Sequence, residues 1–206
     1  MVDCQIRPAD VTHYNIIDSM LKVPREEFFP ESVKELAYTG ETIQIAPDRY
    51  SLDPRIIAKM LNLLNIKGSD LVLDIAGGYG YTACLLSCFA QAVVMTEEPN
   101  FAKEAERVLA EQSIDNVIVN TGELHDGANK FGLYDAIIIE GGIDFVPDRI
   151  IEQLKIGGRI AAVFINDAVG ECRLGFRTDD GINWRFGFNA FVPRLENFKL
   201  EEQFIF

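Results

Sequence analysis

Residues 71–83 read LVLDIAGGYGYTA. Three apolar residues, Leu71 to Leu73, lead into Asp74, then Ala76, Gly77, Gly78, Tyr79 and Gly80, and a helical pattern begins behind them. Glycines at a strand-to-helix turn let the backbone curve tightly and approach a ligand, while the helix N-terminus offers free N–H groups. Outward from this turn, short apolar runs alternate with helical patterns. The runs are LVLDIA, AVVMTE, NVIVNT, YDAIIIEG and GRIAAVFI, separated by TACLLSCFA, NFAKEAERVLAEQ, a short GELHDGANKF segment and PDRIIEQL. That alternation predicts β-α-β units and a parallel sheet. After Phe164 the rhythm changes to RLGFRTDDGINWRFGF, in which Asp180-Gly181 lies between two alternating runs. This is a hairpin signal, so an antiparallel hairpin is expected to finish the sheet.

Residues 1–66 have a different rhythm and read as helices separated by turns. In DVTHYNIIDSMLKV, Val11, Tyr14, Ile17 and Leu21 form one helical stripe, which stops before Pro24. A short helix is expected through SVKELAY. TGETIQIAPDRYSLDP has little helical periodicity and ends at Pro54, with Asp53 as the cap of a further helix. That helix, RIIAKMLNLLNI, presents Ile56, Ile57, Met60, Leu63 and Leu64 as its buried face. The expected organisation is a helical N-terminal cap and substrate region over residues 1–66 and an α/β core over 67–206, forming one compact unit.

Composition narrows the function. Of 206 residues, 48% are hydrophobic and 25% charged, as in globular chains. Asp plus Glu number 32 against 19 Lys plus Arg, a net charge of −13. Such a balance repels phosphate backbones and anionic membranes, so neither nucleic acid nor membrane is an expected partner. Cys4, Cys84, Cys88 and Cys172 are scattered, with no further ligand at Gln91 to complete a metal spacing. They read as buried, inert thiols of a cytoplasmic protein, and no metal site is expected. His13 and His125 lack a third partner and read as surface or capping residues. Trp184 and the phenylalanines Phe186, Phe188, Phe191, Phe198, Phe204 and Phe206 read as hairpin core rather than substrate wall.

Two ligand classes suit the glycine turn. A dinucleotide would use Gly78-x-Gly80-x-x-Ala83, with Glu97 near the ribose. Asp74 disfavours that choice, because its charge would face a pyrophosphate. The same charge suits S-adenosylmethionine, which carries an ammonium and a sulfonium and no phosphate. Glu97 is then placed for the ribose hydroxyls, and Gly122-Glu123, beyond the third strand, for the adenine.

The chain resembles the protein-L-isoaspartate O-methyltransferase family of class I S-adenosylmethionine-dependent methyltransferases. VPREEFFP, the AY of LAYTGE, VLDIAGGYGYTA, LYDAIIIEGGIDFVPDRIIEQLKIGGRIAAVF and FVPRL carry the resemblance, in family order. It implies a Rossmann-like α/β fold, with a mostly parallel sheet, a C-terminal antiparallel hairpin and an N-terminal helical cap. It implies methyl transfer to a protein carboxyl group, of the isoaspartate-repair type, on a damaged or other protein or peptide acceptor. Asp74, Ala76, Gly78 and Gly80 would border the methionine part of the cofactor, Glu97 the ribose and Gly122-Glu123 the adenine. Ala76 departs from the family's first motif glycine. The substrate block departs further: DRYSLDP stands where the family has a GQTISQP-like stretch, and Leu52 takes the serine's place. Ser51, one residue away, is the candidate catalytic group, and Arg49, Tyr50 and Ser51 are the candidate substrate contacts. A methyltransferase with another acceptor, and a non-catalytic cofactor-binding module, are the alternatives that this departure leaves open.

Overall fold

A computed structural model describes residues 1–166 and 169–200. After two short helical turns, α1 (Tyr14–Lys22) and α2 (Pro54–Leu64) flank a two-stranded antiparallel hairpin, β1 (Ile43–Ala46) and β2 (Arg49–Ser51). The core follows as β3 (Leu71–Ile75), α3 (Tyr81–Ser87), β4 (Ala92–Glu97), α4 (Pro99–Glu111), β5 (Val117–Thr121), β6 (Tyr134–Ile143), α5 (Asp148–Ile151), β7 (Leu154–Asn166), β8 (Val169–Thr178) and β9 (Gly181–Ala190). Seven strands form one sheet in the order β5-β4-β3-β6-β7-β8-β9. The first five of these are mutually parallel, and β8 and β9 run antiparallel. The mostly parallel sheet with a closing antiparallel hairpin expected from the sequence is therefore present.

The central strands are apolar on both faces because helices cover both sides. Val72, Val93 and Ile138 share one cluster with α1, α2, α3 and α4, while Leu73, Val94 and Ile137 share another with α5 and the C-terminal Leu195 and Phe198. The second face is thinly covered. The GELHDGANKF interval makes only two single 3-10 turns, Leu124–Asp126 and Asn129–Phe131. SVKELAY likewise reduces to a 3-10 turn at Lys34–Leu36.

Two sequence expectations are corrected in the cap. Tyr14 and Leu21 are 76% and 63% exposed, so they do not share a buried stripe with Val11 and Ile17. The helix starts only at Tyr14, and its inward face is Ile16, Ile17 and Met20. In α2 the buried face is Ile57, Met60, Leu61 and Leu64, with Ile56 and Leu63 at its margins. The start of α2 is as read: Asp53 caps it by accepting from the Arg55 N–H at 2.8 Å, and Pro54 occupies the first turn. The β8–β9 turn consists of Asp179-Asp180, with Gly181 already paired to Thr178.

The phenylalanines divide. Phe198 and Phe188 are buried and Trp184 stacks edge-on against Phe164 at 4.8 Å, but Phe186 is exposed on β9 and Phe191 is exposed just past its end. Phe204 and Phe206 lie outside the described residues. Cys84 and Cys172 are buried, and burial pushes both thiols up to about 12. Cys4 and Cys88 are exposed, contrary to the expectation of buried thiols, because their elements turn them outward.

Candidate functional site

The site lies where the strand order reverses, at the carboxyl ends of β3, β4 and β6. Asp74 is wholly buried at the end of β3. The turn behind it takes Ala76, Gly78 and Gly80 through left-handed backbone, at φ of 68°, 60° and 92°. Gly78 and Gly80 make that conformation cheap, and Ala76 adopts it despite its side chain. Gly77 is required for space: a Cβ there would lie 2.6 Å from Asp74 Oδ2.

Glu97, wholly buried at the end of β4, is held on three sides. Its Oε1 accepts from the Gly78 N–H at 2.7 Å, and its Oε2 accepts from the Glu98 N–H at 3.0 Å and from Arg49 Nη2 at 2.9 Å. Burial pushes this carboxyl up to about 7, against the pull of Arg49 and the two N–H groups. Gly122 donates to the Glu97 carbonyl at 3.0 Å, which brings the Gly122-Glu123 turn beside the same strand end, with the Glu123 side chain exposed.

A third acid was missed. Glu140, buried at the carboxyl end of the apolar part of β6, sits across Gly77 from Asp74, and a Cβ on Gly77 would lie 3.1 Å from its Oε1. In the sequence it ends the run YDAIIIE and could be read as a strand terminus in solvent. Burial, together with each other's charge, raises Asp74 well above the carboxylate range, and burial pushes Glu140 up to about 7.

The β1–β2 hairpin lies over this turn as a strap. Ile45 Cδ1 would stand 2.9 Å from a Cβ on Gly78, so it covers the glycine's face. Successive side chains of β2 point to opposite sides. Arg49 therefore reaches inward to Glu97 and stacks on Phe101, whereas Tyr50 lines a cavity of about 620 Å³ on the other side, with Arg55, Lys59, Phe188 and Phe191. Ser51 and Leu52 are anchored by Arg25, which is wholly buried and donates to Ser51 Oγ at 3.1 Å, to the Leu52 carbonyl at 2.7 Å and to the Ala37 carbonyl at 2.8 Å. Leu52 itself is 1% exposed in the main core. Of the three candidate substrate contacts, then, only Tyr50 faces an open cavity. His13 stands exposed at the start of α1, and His125 lies in the Leu124–Asp126 turn, 3.4 Å from Asp126.

Residues 1–171 match the sequence profile of the Protein-L-isoaspartate(D-aspartate) O-methyltransferase family. The chain belongs to this family. A protein-L-isoaspartate O-methyltransferase of Rhodopseudomonas palustris is 37% identical over 161 residues, 78% of this chain and 74% of that protein. One of Protochlamydia amoebophila is 34% identical over 197 residues, 94% of each. A solved protein-L-isoaspartate O-methyltransferase superposes with a TM-score of 0.82 at 25% identity, over 92% of this chain and 63% of that one. A Plasmodium falciparum chain described as such an enzyme, in complex with S-adenosyl-L-homocysteine, gives 0.78 at 18% identity over 93% and 94%. Membership of the protein-L-isoaspartate O-methyltransferase family makes the chain a methyltransferase.

S-adenosylmethionine suits the chemistry of these side chains. Both oxygens of Asp74 and Oε1 of Glu140 lack partners, as acceptors for a cationic group would. No phosphate is needed beside three buried acids. Ile45 lies over Gly78 and Arg49 over Glu97 in this conformation.

Proposed function

We propose that the protein transfers the methyl group of S-adenosylmethionine to a carboxyl group of a protein or peptide, with an isoaspartyl residue as acceptor. The observation that carries this reading is the set of buried strand-end acids around the glycine turn, in a chain whose family is defined by that reaction. Asp74, Ala76, Gly78 and Gly80 border the methionyl part, Glu97 binds the ribose, and Gly122-Glu123 borders the adenine. When bound, the donor supplies an electrophilic methyl on a positively charged sulfur. The chain's own work is orientation and exclusion of water. A carboxylate is already ionised at neutral pH, so the acceptor needs no general base, and positioning alone can supply ~7–11 kcal/mol of a barrier. The segment Tyr50 to Pro54 presents the acceptor at a cavity whose charged lining is mixed, with Lys59 and Glu41 beside an Arg55–Asp53 ion pair.

A second reading, methyl transfer to another acceptor, is favoured by a specific observation. Leu52 is packed in the core where the family has a serine, and the neighbouring Ser51 hydroxyl is engaged by Arg25. The experiment is labelled methyl transfer to an isoaspartyl peptide beside its normal-aspartyl twin. Base-labile label on the isoaspartyl peptide alone supports the first reading. Transfer to neither, in protein that binds S-adenosylhomocysteine, overturns it in favour of another acceptor or of a binding module.

A further inference from the structure

Of the three acids at the strand ends, Glu97 is fully engaged by protein donors, and the other two are not. Asp74 is wholly buried with neither oxygen partnered, and Glu140 is 6% exposed with Oε1 unpartnered. They end adjacent parallel strands, paired at Asp74–Ile138 and Ile75–Ile139, and flank Gly77 from two sides. Thr82, wholly buried on the first turn of α3, adds a further unpartnered hydroxyl that influences Glu140. The other charged groups acting on the pair are Arg25 and Glu97, with Tyr81 stacked under the Arg25 guanidinium at 4.6 Å. Arg25 is committed chiefly to Ala37, Ser51 and Leu52. Buried acceptors without a partner are costly, and native structures keep few of them without a ligand or function to match.

The missing partner has to be cationic, because it enters a buried space holding two carboxyl groups. It also has to carry several N–H donors, because three carboxyl oxygens have no donor from the rest of the chain and a proton held between the two groups serves only two of them. A sulfonium has none; an ammonium has three. We propose that Glu140 is a further cofactor-binding residue, its carboxylate and that of Asp74 gripping the α-ammonium at the methionyl end of the donor. The inference rests on S-adenosylmethionine being the donor and deepens that reading. In the free protein the two neighbouring buried carboxyls retain a proton between them, since like charges in one site do not both ionise readily. The incoming ammonium takes that proton's place, and the proton leaves to solvent.

The test is calorimetric binding of S-adenosylhomocysteine, S-adenosylmethionine and 5′-methylthioadenosine, which lacks the amino-acid end, to the wild-type protein and to Glu140→Gln. The first two are expected to weaken together, by roughly ten- to a hundredfold, and the third to stay within about twofold. In buffers of different ionisation enthalpy at neutral pH, S-adenosylhomocysteine should release a proton from the wild type that 5′-methylthioadenosine does not release. That comparison needs no variant and controls for Glu97, which meets the ribose of both ligands. Equal weakening of all three ligands would make Glu140 a packing residue, and weakening of S-adenosylmethionine alone would make it a sulfonium partner; either outcome overturns the proposal, as does identical proton release by both ligands. Failure of the wild type to bind any of the three would remove the cofactor reading itself, and this inference with it.

Discussion

At the scale of single residues the departures from family pattern have physical costs that can be measured. Leu52 fills core volume that a serine would leave empty, and a hydroxyl there has only the cap interior around it. Leu52→Ser is expected to destabilise by about 3 kcal/mol in denaturant unfolding. Gly77→Ala drives a methyl into the Asp74 carboxyl and is expected to cost about 1–3 kcal/mol, read in the same way. Glu140 and Glu97 make a pH signature. Their ordinary value is 4.5, and burial lifts each to about 7 in the folded chain. The folded state thus binds more protons than the unfolded one between these values. The contribution of these two groups to stability is fully present below about 4.5 and is lost as pH rises through about 7. Thermal melts across this window should show the fall, and Glu140→Gln should flatten part of it. These costs could not be read from the sequence, because an acid after three isoleucines reads equally as a solvated strand end.

At the scale of elements, the strap is the part that tunes the site. Arg25 ties the carbonyls of Ala37 and Leu52 together, so the segment between them is drawn onto the turn. Arg25→Met would leave those two carbonyls unpaired and is expected to cost about 3 kcal/mol, with faster proteolysis between Tyr38 and Asp53 as the readout. Arg49 acts in the opposite sense. It holds the Glu97 carboxylate proposed above to meet the ribose, and a ligand that competes for that carboxylate has its affinity reduced by the fraction so paired. Arg49→Ala should therefore tighten S-adenosylhomocysteine binding, by about three- to tenfold in calorimetry. The extended character of residues 39–54 was legible from its lack of helical period. That its two edges face different sites follows from strand alternation only once the pairing Gln44–Tyr50 is known.

At the scale of the whole molecule, the net charge of −13 includes three acids buried at the site. Self-repulsion of this size is screened by salt, with a Debye length of about 10 Å at 0.1 M. Raising sodium chloride from about 0.02 to about 0.3 M is expected to raise the melting temperature by a few degrees, and a fall would show that the paired charges dominate instead. No helix among the described residues is long and apolar enough to cross a membrane. The strand-and-helix alternation, the glycine turn, the capped start of α2 and the closing hairpin were all determined by the sequence alone, because each depends on residues within a few positions of one another. Hydrophobic period and positive-φ glycines are local properties. The tertiary structure alone decided which acids share a site. Glu140 meets Asp74 only because β6 pairs with β3 across the switch point, and Arg49 meets Glu97 only because the strap folds back over β4. Those partners lie 66 and 48 positions apart, and their energies depend on burial, which no local pattern encodes.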